Sequence, residues 1–165
     1  MLSALLTPNI VENAINIIRN GVVERFIKAD KGRMAVCIVV VDPTVPYRHE
    51  DRDRLPVLYE EILGEQDKSK WPRGRDYSWF ARKKALLSWR TGQSSHLVQC
   101  DFPHMFEAGD FKFGGSVVYK GITVAASGLK WEHDLAVSGS VAAICHALTI
   151  GSFGSILADD TKLFI

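Results

Sequence analysis

Residues 116 to 126, Ser-Val-Val-Tyr-Lys-Gly-Ile-Thr-Val-Ala-Ala, hold two apolar, β-branched runs separated by Lys120-Gly121. Glycine takes positive φ without a Cβ clash, so the pair reads as two strands joined by a tight hairpin turn. Gly114-Gly115 precedes the hairpin, Ser127-Gly128 follows it, and Glu132-His133-Asp134 comes next. Carboxylates favour the positive end of a helix, so a helix is expected to start at that acidic cluster. A hairpin that feeds a helix constrains the fold more than any other stretch of this chain.

At 165 residues the chain is expected to form one domain with a full core. Its 47% hydrophobic and 24% charged residues are ordinary for a globular protein. A net charge of +1 argues against a dedicated nucleic-acid binder, which would be clearly basic. Cys37, Cys100 and Cys145 form no CxxC pair, so they read as core thiols of a reducing compartment and not as zinc ligands. Met1 to Thr7 has no basic segment, and no signal peptide is expected. Leu135 to Ala158 carries no acidic or basic residue apart from His146, a length that would span a bilayer. It is rich in Gly, Ser, Ala and Thr, so a buried helix followed by a loop is expected, in a cytoplasmic protein with no membrane partner.

Thr7-Pro8 starts a helix, with Thr as N-cap and Pro at the first helical position. Ile10, Val11, Ala14, Ile17, Ile18, Val22 and Phe26 continue it at helical spacing, and Lys31-Gly32 stops it. Met34 to Val41 is almost wholly apolar and reads as a central strand covered on both faces. From Asp42 to Lys84 the chain places 19 of its 39 charged residues. Residues 43 to 80 therefore read as a charged insertion, a lid or interface arm, in which Leu55 to Leu63 is a short helix or an edge strand. Asp76 or Ser78 caps a helix running through Arg90, which Thr91-Gly92 ends. The last helix is expected to reach about Ile150, with Gly139, Ala143, Ala147 and Gly151 forming a ridge of small side chains.

The loop at Ser127-Gly128, with a helix N-terminus beyond it, offers backbone N–H groups to a carboxylate or propionate. His133, between two carboxylates, is a candidate base or ligand, or simply an exposed first-turn residue. His146 reads as a buried, hydrogen-bonded histidine. His96 and His104 flank Cys100 at four residues each, but the intervening Asp101-Phe102-Pro103 breaks helical register, so no metal site is expected. Between Trp71 and Trp89, basic and aromatic residues alternate; the reading is an amphipathic helix with aromatics inward, with Arg82 or Lys84 free to face the Ser127 loop and hold an acid group.

The ordered pieces Val39-Val40-Val41-Asp42, Ala81-Arg82-Lys83-Lys84-Ala85, Gly114-Gly115, Val124-Ala125-Ala126-Ser127-Gly128 and Asp134-Leu135-Ala136-Val137 resemble the GlcG/HbpS-like family, whose members are described as haem-binding or haem-degrading. The resemblance implies an α+β domain with a central antiparallel sheet and helices packed on it, of the profilin-like kind, and a homo-oligomer. It implies haem as a possible cofactor. Three functions follow as expectations: a non-catalytic small-molecule or haem-binding or sensing protein, an enzyme of small-molecule catabolism or haem breakdown using the same pocket, and an interaction protein using the charged arm. The expected ligand-binding set is Ser127, Gly128, His133, Asp134, Lys84 and Gly115, with no metal ligand.

Overall fold

The computed structural model describes residues 2–51 and 54–159. Strands β1 (Ala35–Val41), β2 (Val57–Gly64), β3 (Ser116–Tyr119) and β4 (Ile122–Ser127) form one antiparallel sheet in the order β2-β1-β4-β3. Helices cover both faces, so the chain is α+β with a central antiparallel sheet, as expected.

All seven residues of β1 are buried. The reason is the period of two along a strand. Val36, Ile38 and Val40 point to one face, where they join α1 (Pro8–Ile18) and α5 (Trp131–Asp159) through Ile15, Val137 and Val141. Ala35, Cys37, Val39 and Val41 point to the other, where α3 (Tyr77–Thr91) packs through Tyr77, Ala81 and Ala85. A continuous apolar strand is what a two-sided core requires.

The local signals place the elements. Thr7 Oγ1 accepts from the Ile10 amide at the start of α1. Asp76, rather than Ser78, caps α3, accepting from the Ser78 and Trp79 amides. Gly92, at φ 67°, ends it in the left-handed region. Lys120 and Gly121 both take positive φ, 50° and 81°, which matches the twist of the β3–β4 hairpin.

Three open readings are settled and one boundary moves. The first helix switches to a wider π turn at Arg19–Val23 before α2 (Glu24–Ala29), so the Gly21-Val22-Val23 stretch alters its hydrogen-bond pattern without ending it. Leu55 to Leu63 resolves as an edge strand: β2 lies inside the charged stretch and pairs with the full length of β1. Leu97 to Met105, ambiguous in sequence, begins within a short helix, α4 (Ser95–Cys100). The last helix continues past Ile150 to Asp159. Its segment Trp131–Gly154 is long and apolar enough to cross a membrane by length and composition. Here it lays Val137, Val141, Ala142 and Cys145 into the core.

Candidate functional site

Lys84 lies in the middle of α3, and Asp134 in the first turn of α5. The two helices cover opposite faces of the sheet, yet Lys84 Nζ donates to Asp134 Oδ2 at 2.8 Å and to the Ala126 carbonyl at 3.0 Å. Gly115 makes the crossing possible. A Cβ on Gly115, whose φ is 125°, would fall 2.7 Å from Lys84 Nζ and 2.9 Å from Asp134 Cβ. The missing side chain leaves a passage at the end of the β3–β4 pair.

Polar groups line this passage. Asp134 Oδ1 accepts from the Leu129 amide at 3.0 Å, tying the Ser127-Gly128 loop to α5. Ser138 Oγ donates to the Gly115 carbonyl at 2.7 Å, and Ser116 Oγ donates to the Lys84 carbonyl at 2.9 Å. The side chains of Lys84 and Asp134 are only 4% and 3% exposed. Burial pulls the Lys84 ammonium below its ordinary pKa and pushes Asp134 up to about 6; their mutual attraction opposes both shifts.

A cavity of about 590 Å³ opens beside the pair. Lys84, Ser127, Gly128 and Asp134 line it. So do Arg33, Arg75, Lys130 and Glu132, and the aromatic side chains Tyr77, Phe80, Phe111, Phe113 and Trp131. Phe80 and Phe111 pack with ring centroids 4.9 Å apart, and Phe111 and Phe113 with centroids 5.2 Å apart. Trp131 stacks on His96 at 5.2 Å. Neither Arg33 nor Arg75 forms an ion pair among the described residues. The Tyr77 hydroxyl is buried without a hydrogen-bond partner among them.

Of the six expected residues, four line the cavity and Gly115 abuts Lys84 and Asp134 beneath it. His133 goes elsewhere. Its Nδ1 lies 2.9 Å from Asp30 Oδ2, and its ring stacks on Phe26 at 4.1 Å. Arg82 pairs with Glu60 at 2.7 Å, so Lys84 is the residue of the two that faces the Ser127 loop. Gly128 has a structural reason as well. At φ 143° its amide plane passes so close to β1 that a Cβ would lie 2.1 Å from the Ala35 carbonyl oxygen. His146 is half-buried against Tyr119, and its Nδ1 lacks the hydrogen bond expected for it. His96 approaches Cys100 Sγ at 3.7 Å while His104 packs on Phe102, and no group of three metal-binding side chains forms among the described residues.

Arg33, Arg75, Phe111, Phe113 and Trp131 were not anticipated. Phe111 and Phe113 alternate just before Gly114-Gly115, which is a faint signal of a wall. Arg33 precedes β1 and carries none.

No family model and no curated protein matches this sequence. Solved structures do match. The crystal structure of Ybr137w protein superposes with a TM-score of 0.56 at 21% identity, over 86% of this chain and 79% of that one. The fold is shared. Klebsiella pneumoniae protein ORFY, a DUF336 (GlcG-like) protein, aligns with a TM-score of 0.45 at 15% identity, over 89% of this chain and 90% of that one. The likeness to Ybr137w protein concerns fold and carries no ligand with it.

Proposed function

We propose that this chain is a small-molecule binding or sensing protein of the GlcG/HbpS-like type whose ligand is an organic anion with an apolar, planar body. The observation that supports it is the cavity wall. Two guanidinium groups that form no ion pair among the described residues stand beside five aromatic side chains, over a buried lysine. Guanidinium forks match carboxylate geometry, and aromatic faces give an apolar body a dry surface.

Haem offers carboxylates to the same cations. The lining has no His, Cys or Met for its iron, and His133 is engaged with Asp30. An organic acid without a metal fits these residues better.

Intrinsic tryptophan fluorescence under titration, compared with the Trp131→Phe variant to isolate the Trp131 signal, tests the proposal. Phenylacetate should quench it saturably and phenylacetamide should not; equal responses would refute an anion site. A parallel hemin titration should give no Soret shift that depends on His133. Homo-oligomerisation is proposed as well, as the resemblance implies, and sizing chromatography checks it.

A further inference from the structure

We propose that Lys84 captures its ligand covalently: its amine condenses with the keto group of a 2-oxo carboxylic acid in the cavity to form an imine. This rests on the reading of the cavity as an organic-anion site and names the ligand class.

Three observations carry it. Lys84 is the buried lysine of the cavity, whereas Lys130, which also lines it, and every other described lysine are exposed or half-buried. Its Nζ spends two donors on Ala126 O and Asp134, leaving one N–H direction without a partner among the described residues. Asp134 Oδ2, at 2.8 Å, can take the ammonium proton, and burial of both groups favours their neutral forms. Arg33 and Arg75 then hold the carboxylate, and Phe80 and Phe111 face the remaining substituent.

The steps balance. Lys84 Nζ gives a proton to Asp134, and its lone pair forms the C–N bond while the carbonyl π pair moves to oxygen. A proton passes from nitrogen to that oxygen. The Asp134 proton then converts the hydroxyl to water, the C–O bond breaks, and the nitrogen lone pair closes C=N. The net change is ammonium plus ketone to iminium plus water, with Asp134 again a carboxylate.

The test incubates the native full-length protein with phenylpyruvate and cyanoborohydride, then maps reduced adducts by peptide mass spectrometry. Lys84 should be labelled at least about tenfold faster than any surface lysine, saturably in phenylpyruvate. Phenylacetate, which has the acid but no ketone, should suppress that label. Arg33→Ala should raise the half-saturating phenylpyruvate concentration; an unchanged value would count against the role given to Arg33. If phenylpyruvate competes with phenylacetate but label falls only on exposed lysines, covalent capture is wrong and the binding site stands. If neither acid binds, both readings fall. Lys84→Arg, checked for folding by circular dichroism, should lose the Lys84-region adduct while exposed lysines keep their slow labelling; unchanged labelling of that region would also overturn the proposal.

Discussion

Lys84 Nζ and Asp134 Oδ2 meet at 2.8 Å from helices on opposite faces of one sheet. A buried pair of this kind is balanced between desolvation and attraction, so removing one partner leaves the other charge stranded. Lys84→Met and Asp134→Asn should each lower unfolding free energy by about 3–5 kcal/mol. The double variant Lys84→Met/Asp134→Asn should lose clearly less than the sum, because no charge is left unpaired. Urea denaturation of the four proteins measures this, and strict additivity would show that the pair is not coupled.

Gly128 carries a different prediction. Its φ of 143° and the 2.1 Å approach of a notional Cβ to the Ala35 carbonyl mean that β1 itself would have to move. Gly128→Ala should cost at least about 3 kcal/mol or abolish soluble expression. Gly151 lies in α5 with open space around its notional Cβ. Gly151→Ala should therefore stabilise by about 0.5–1 kcal/mol through helix propensity. Thermal melts of the two variants should move in opposite directions.

Asp30 sets an acid limit. Burial would raise its pKa, but hydrogen bonds from the Lys130 amide at 2.8 Å and from His133, together with their charges, outweigh burial and lower it. A folded-state pKa below the unfolded value means that the unfolded chain binds the proton more readily. The stabilisation is therefore complete above about pH 4 and is lost as pH falls through the lowered folded value. Asp134 works in the opposite sense: raised to about 6, it favours the folded state as pH falls toward 4. The Asp30 effect is thus read below that window. Asp30→Asn should lower the urea midpoint at neutral pH and flatten its fall in acid; an unchanged acid slope would count against the role given to Asp30.

The cysteines divide by burial. Burial lifts the thiols of Cys37 and Cys145 to about 12, while Cys100 is exposed. A thiolate is the reacting form. In the native protein an aromatic disulfide reagent should titrate Cys100 alone, and all three thiols after denaturation. Rapid reaction of Cys37 in the native state would mean that β1 opens locally.

Much of the fold was legible because its signals are short-range. Thr7-Pro8, Asp76, Gly92 and Lys120-Gly121 act within one turn of chain, and the β1 run states its own two-sided burial. β2 was ambiguous because Glu60 and Glu61, in the middle of an edge strand, look like surface charge. In the structure they pair with Arg82 and Arg19. Ser127, Gly128, Lys84 and Asp134 were singled out from loop chemistry and from the resemblance. His133 was singled out for its acidic neighbours in sequence, but its partner is Asp30, 103 positions away.

Sequence by itself determined the hairpin, the helix caps and the central strand, since each follows from φ preferences and periodicity along a few residues, whereas the α+β class rested on the family resemblance. Tertiary structure alone decided that Lys84 crosses the sheet through the space left by Gly115, and that Arg33, Arg75 and Phe111 gather above it. Those groups are far apart in the chain, and only the packing of α3 and α5 on opposite sides of β4 brings them to one cavity.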